Sequence, residues 1–127
     1  MFLSVGLGAK VATAVPPTGA EIETSIQEGL AWLASEQKEN AKFGSGYWGY
    51  DNVYSGVLNE VYRGGQTGLI LTKFAERAHE LGQNPFDTTS YQYAQVVIDG
   101  FQWLIDQMYS QGGGLRIDTG NSPGYIT

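Results

Sequence analysis

The stretch GLAWLASEQKENAKFGSGYWGY, Gly29 to Tyr50, joins the end of an amphipathic helix to a loop of spaced glycines and aromatic rings. Part of it returns as IDGFQWLIDQ, Ile98 to Gln107. With Gly29 laid on Gly100, an offset of 71 residues puts Trp32 on Trp103, Leu33 on Leu104 and Glu36 on Gln107, and glycine loops follow both. One helical pattern lies between the two copies, so the period corresponds to two helices. Helical hairpins of this sort bury their apolar faces by stacking on neighbouring hairpins. About one and a half repeats are present, and a motif that recurs along a chain reads as a joint between helix pairs.

Toward the N-terminus, Thr18 stands three residues before Glu21, the spacing of a capping box, and predicts a helix start. Ile22, Ile26, Leu30 and Leu33 fall on one stripe of that helix, with Trp32 beside it and Glu23, Gln27 and Glu28 turned away. The helix is expected to end between Gln37 and Asn40. Pro16-Pro17 ends residues 1–17, a leader with a short apolar run and the small-x-small sequence Ala12-Thr13-Ala14 of a signal-peptide cleavage site. The cationic segment of a signal peptide is missing, so a strand-like or disordered leader is the alternative. Export, to the extracellular space or the periplasm, is the expected localisation.

Toward the C-terminus, periodicity is lost between Ala41 and Gly65 while glycine recurs at 44, 46, 49, 56, 64 and 65, which predicts a long loop. Val53, Val57, Leu58 and Val61 have helical spacing, and a short helix over Tyr54–Tyr62 is expected there. Thr67–Leu81 reads as a second helix, apolar along Ile70, Leu71, Phe74, Ala75, Ala78 and Leu81, with Lys73, Glu76, Arg77 and Glu80 alternating in sign opposite. Gly82 and Asn84-Pro85 stop it. Thr89 and Gln92 have capping-box spacing ahead of a third helix, Ser90–Tyr109. Its two apolar seams, Ala94/Val97/Ile98/Phe101/Leu104/Ile105/Met108 and Tyr93/Val96/Gly100/Trp103, predict packing on two sides. The run from Gln111 onward is loop-like and reads as cut off. The expected class is therefore all-α, with three main helices and one short one, in a single domain over residues 18–127.

Composition narrows the activities. Thirteen acidic residues against seven basic ones give a net charge of −6, and the Lys and Arg residues are scattered, which excludes a phosphate-neutralising stripe and hence nucleic acid as a partner. The absence of cysteine removes disulfides, thiolate zinc sites and cysteine nucleophiles. With His79 the only histidine, a histidine-rich metal site is excluded as well; no metal and no cofactor is expected. No apolar run approaches the roughly 20 residues that span a bilayer.

The G-x-x-W-L-x-x-x-Q of Gly29 to Gln37, leading to Gly46-Tyr47-Trp48, resembles the QW-type repeat of the terpenoid cyclase and prenyltransferase superfamily. Thr67-Gly68-Leu69, with Phe74, Glu76, Arg77 and Ala78 after it, is similar to the inner-helix segment of prenyltransferase/squalene-oxidase-like repeats. The resemblance covers about Ile22 to Gly114 and implies an α/α toroid, here incomplete, in which Gln37 ties a helix end to a loop and Trp48 stacks on a neighbour. The enzymatic motifs of that superfamily do not carry over: there is no D-x-D-D acid segment, and no cysteine for a zinc or thioester site.

Tyr47, Trp48, Tyr50, Asp51 and Tyr54, with Asn52 among them, form the most site-like group, because aromatic faces beside a carboxylate suit a carbohydrate or terpenoid ligand. The competing account is that these rings pack over helix ends. Asp51, Glu60, Asp87 and Asp118 could supply an acid–base pair, Arg63 beside Gly64-Gly65 an anion contact, and Asp118 near Gly120-Asn121 calcium ligands, although no single side chain makes such a site. His79 is expected to be an exposed polar residue. No catalytic residue is identified. The expected function is a non-catalytic structural or ligand-binding module whose partners are further repeats of the same polypeptide or a hydrophobic or carbohydrate ligand. The alternative is a fragment of a toroid enzyme, terpenoid cyclase-like or a polysaccharide lyase or hydrolase, with its catalytic residues elsewhere.

Overall fold

Among the described residues of the structure, a computed structural model, three helices carry the fold, and short β-hairpins connect and follow them. The order is α1 (Gly19–Ser35), β1 (Lys38–Asn40), β2 (Gly44–Tyr47), β3 (Tyr50–Tyr54), β4 (Val57–Val61), α2 (Arg63–Glu80), α3 (Ala94–Asp106), β5 (Met108–Gln111) and β6 (Gly114–Ile117). Residues 14–40, 44–54, 57–61, 63–111 and 114–117 are described; for residues 40, 50–54, 57–61, 109–111 and 114–117 this description is of the backbone only. The leader up to residue 13 and the sequence beyond residue 117, with Asp118, lie outside them.

The ends of α1 and α2 follow local chemistry. Thr18 accepts from the Glu21 amide at 3.2 Å, and the Glu21 carboxylate accepts from the Thr18 amide at 2.7 Å, so the capping box is closed. At the end of α2, Gly82 takes a left-handed φ of 66°, its amide donates to the His79 carbonyl, and that of Gln83 donates to the Ala78 carbonyl. That pair of bonds is a Schellman closure, available there because glycine enters the left-handed region without steric cost. α2 starts four residues ahead of the expected Thr67, running through Gly64-Gly65 from Arg63.

Three expectations are corrected. The chain is mostly helical but not all-α, since three antiparallel hairpins, β1–β2, β3–β4 and β5–β6, occupy stretches expected as loop or helix. No short helix forms over Tyr54–Tyr62: Val57–Val61 is a strand paired with Tyr50–Tyr54, with Tyr50 opposite Val61 and Tyr54 opposite Val57. Four valine and leucine positions match helical spacing there, but the β-branched residues and tyrosines fit a two-stranded ladder as well, and the pairing prevails. The third helix is shorter than expected, 94–106, and Thr89 does not cap it; its N-cap, Tyr93, makes no side-chain cap bond. The polar residues ahead of it fold onto Asp87, which accepts from the Thr89 amide and hydroxyl and from the Ser90 hydroxyl.

The core lies where the three helices meet β2. Leu30 of α1, Leu71, Phe74 and Ala78 of α2, and Ala94 and Val97 of α3 are buried together with Trp48 and Tyr91. The stripe expected on α1 is buried only at Leu30, while Ile22 and Ile26 are exposed. α3 is covered on one side rather than two: Ala94, Val97, Gly100 and Trp103 are buried, and Phe101, Ile105 and Met108 are exposed.

Candidate functional site

The sequence Gly46-Tyr47-Trp48 forms a joint that ties all three helices together. Gly46 has a φ of 105°, and a Cβ there would lie 2.3 Å from the carbonyl oxygen of Asp99, so both conformation and space require glycine. Tyr47 is fully buried and stacks on Trp103 of α3 with ring centroids 5.1 Å apart. Trp48, 3% exposed, turns the other way, tilts against Phe74 of α2, and donates from its indole nitrogen to the Leu33 carbonyl of α1 at 2.7 Å. Its backbone is held by Thr67, whose buried hydroxyl accepts from the Trp48 amide at 3.0 Å and donates to the Trp48 carbonyl at 3.2 Å.

Gln37 completes the joint. Its side-chain amide donates to the carbonyl of Gly46 at 3.0 Å and to that of Val96 at 2.9 Å, linking the end of α1 to β2 and to α3. Both amide hydrogens are thereby used. Tyr91, in the turn before α3, donates from its hydroxyl to the Phe74 carbonyl at 2.7 Å. Burial, with Tyr93 alongside, pushes the Tyr91 phenol up to about 12.

The five residues singled out as a ligand surface are thus divided. Tyr47 and Trp48 lie inside the joint, with little ring surface left for a ligand. Tyr50, Asp51 and Tyr54 lie on β3, where alternation puts Tyr50 and Tyr54 on one face and Asp51 on the other. Among the carboxylates, Asp51 and Glu60 are directly opposed cross-strand partners, so the pairing brings two of the four candidates for an acid–base pair to one position of one hairpin.

The remaining candidates have other surroundings. Asp87 is engaged by its own turn, and the Thr89 and Ser90 bonds hold its carboxyl below the usual range, the opposite of what a proton donor at neutral pH requires. Arg63 is 2% exposed, with its side-chain stem against Gly49, so it is a buried element of the α2 start rather than a solvent-facing anion contact. His79 is exposed, as expected. Among the described residues no group of three or more His, Cys, Asp or Glu side chains is placed to hold a metal ion, and no helix is long and apolar enough to cross a membrane.

An open groove of about 430 Å³ lies between α1 and α2, at a place the sequence did not single out. Its α1 wall is Ser25, Ile26, Gly29, Leu30, Trp32 and Leu33; its α2 wall is the charged row Lys73, Glu76, Arg77 and Glu80. Arg77 contacts Glu23 of α1 and donates to Glu80 at 3.2 Å. These two carboxylates, Glu80 foremost, raise the guanidinium pKa; Gln27, and then Arg77, lower that of Glu23. Trp32 is 62% exposed in this wall, in contrast to Trp103, 71 residues further on, which is buried.

No protein-family model, curated protein or solved structure matches the chain.

Proposed function

We propose that the chain is a non-catalytic helical-repeat module of the α/α-toroid type, exported from the cell, whose work is to hold successive helix pairs in register. The observation that carries this reading is the joint itself: Gln37, Tyr47 and Trp48, which follow the first G-x-x-W-L stretch, spend their rings and hydrogen bonds on α1, α2 and α3. The similarity of this joint to QW-type repeats supports the toroid assignment, and the offset of 71 between Gly29-x-x-Trp32-Leu33 and Gly100-x-x-Trp103-Leu104 supports repetition.

A second reading has one observation in its favour. Asp51 and Glu60 oppose each other on a hairpin that also carries Tyr50 and Tyr54, an arrangement compatible with a carbohydrate-processing fragment. Calorimetric titration with oligosaccharides and with terpenoid alcohols, alongside a hydrolysis assay on chromogenic glycosides, separates the two. A structural module shows neither turnover nor saturable binding. Turnover abolished by Asp51→Asn or Glu60→Gln overturns it in favour of the enzyme fragment.

A further inference from the structure

The two copies of the G-x-x-W stripe have opposite environments. In α3 the stripe is Val97, Gly100 and Trp103, all buried. Gly100 lies under the side chain of Leu71 from α2, so close that a Cβ would meet Leu71 Cδ2 at 2.6 Å, and Trp103 lies under Tyr47 of β2. At the offset of 71 the same stripe in α1 is Ile26, Gly29 and Trp32. Here both large side chains are exposed, and a Cβ on Gly29 would meet no described atom within 4 Å. The reverse holds on the other side of these helices. Leu30 and Ala34 of α1 face the core, whereas their counterparts Phe101 and Ile105 of α3 are exposed. Each helix shows covered the face that the other shows open.

We propose that the Ile26–Gly29–Trp32 face of α1 is a docking seat for a further unit of this chain's own kind, which offers an α2-like helix with its leucine over Gly29 and a β1–β2-like hairpin with its tyrosine over Trp32. The proposal rests on the repeat reading and adds the seat, its residues and its occupant. Two observations select this occupant. The open strip continues an interface already formed, because Leu30 and Leu33 line the groove and also pack in the α1–α2 core. The α2–α3 contact is a worked example of what fits a glycine between an aliphatic residue and a tryptophan: a leucine entering where no Cβ stands. A second copy of this chain cannot supply that leucine, since its own Leu71 is already seated on its own Gly100. The occupant must therefore be a unit whose α2-like helix has no α3 upon it.

Acrylamide quenching of tryptophan fluorescence tests this. Of the three tryptophans, Trp48 and Trp103 are buried and Trp32 is exposed, so quenching of the full chain reports Trp32. In a duplicated chain, residues 1–93 carrying Trp32→Phe precede residues 23–127, which keeps the 71-residue spacing and places a free α2 immediately upstream of the second α1. The expected result is a severalfold fall in quenching of the remaining Trp32, restored by Leu71→Ala in the upstream copy or by Gly29→Leu in the downstream one. The seat is overturned if circular dichroism shows the added helices while Trp32 stays as quenchable as in the parent; the repeat reading then stands. If helix content does not rise with the added residues, both fail. Protection of Trp32 in the parent chain overturns the proposed occupant, whether it grows with concentration, which marks self-association, or persists at high dilution, which marks cover from within the chain.

Discussion

Gly29 and Gly100 occupy matching positions in the sequence, yet substitution should move stability in opposite directions. Alanine at Gly100 drives a methyl into Leu71 and is expected to cost about 1–3 kcal/mol, the usual range for overpacking a filled contact. Alanine at Gly29 meets nothing and relieves a glycine in a helix interior, so a gain of about 0.5–1 kcal/mol is expected. Chemical denaturation of the two variants checks both signs. At Tyr91 the expectation concerns alkali. Its phenol is pushed up to about 12 in the fold, against about 10 for a free tyrosine, so its contribution is complete below pH 10 and is lost as the pH rises from there through 12. Tyr91→Phe removes the hydroxyl that donates to Phe74, costs about 1 kcal/mol at neutral pH, and should flatten the alkaline limb of a pH–stability curve. None of these environments could be read from the sequence, because glycine and tyrosine positions carry no mark of what packs on them.

The helices were legible as elements because their caps and periods are local. Thr18 with Glu21, and Gly82 with Asn84-Pro85, act within one turn, and they mark the start of α1 and the end of α2 correctly. Thr18 lowers the Glu21 pKa, and the Thr89 bonds lower that of Asp87. Stability from both groups is therefore present above the ordinary carboxylate range and lost as the pH falls through their depressed values. Thr18→Ala should shift the acid limb of unfolding and leave the alkaline limb in place. The β3–β4 hairpin was not legible, since Val53, Val57, Leu58 and Val61 satisfy a helical spacing and a strand composition equally, and only cross-strand pairing separates them. For the joint, Trp48→Ala removes a packed indole and its bond to Leu33, with an expected cost of about 3–5 kcal/mol by thermal or urea unfolding. An unchanged melting temperature would contradict its packing role.

For the molecule as a whole, the sequence shows the two G-x-x-W-L stretches but not what packs on them. A stripe of Ile22, Ile26, Leu30 and Leu33 predicts a buried face wherever a neighbour exists, but it does not say whether that neighbour is in the chain. The candidate site divides for a similar reason: Tyr47 and Trp48 are aromatic because they face helices, and loop composition resembles that of a binding surface in either case. The sparse seating of α1 has a dynamic corollary. Leu30 is its one buried residue, and the hydrogen bonds that tie it to the core, Gln37 to Val96 and Gly46 and the Leu33 carbonyl to Trp48, lie toward its C-terminal end, with the Glu23–Arg77 contact the tie nearer its N-terminus. Opening the N-terminal turns of α1 therefore breaks the Glu23–Arg77 contact but exposes little new apolar surface, since Ile22 and Ile26 are already exposed, and these turns form a local unfolding unit of low free energy. Amide hydrogens there should exchange with deuterium well before those of α2, so α1 is expected to fray from its first turns while its last turn stays anchored.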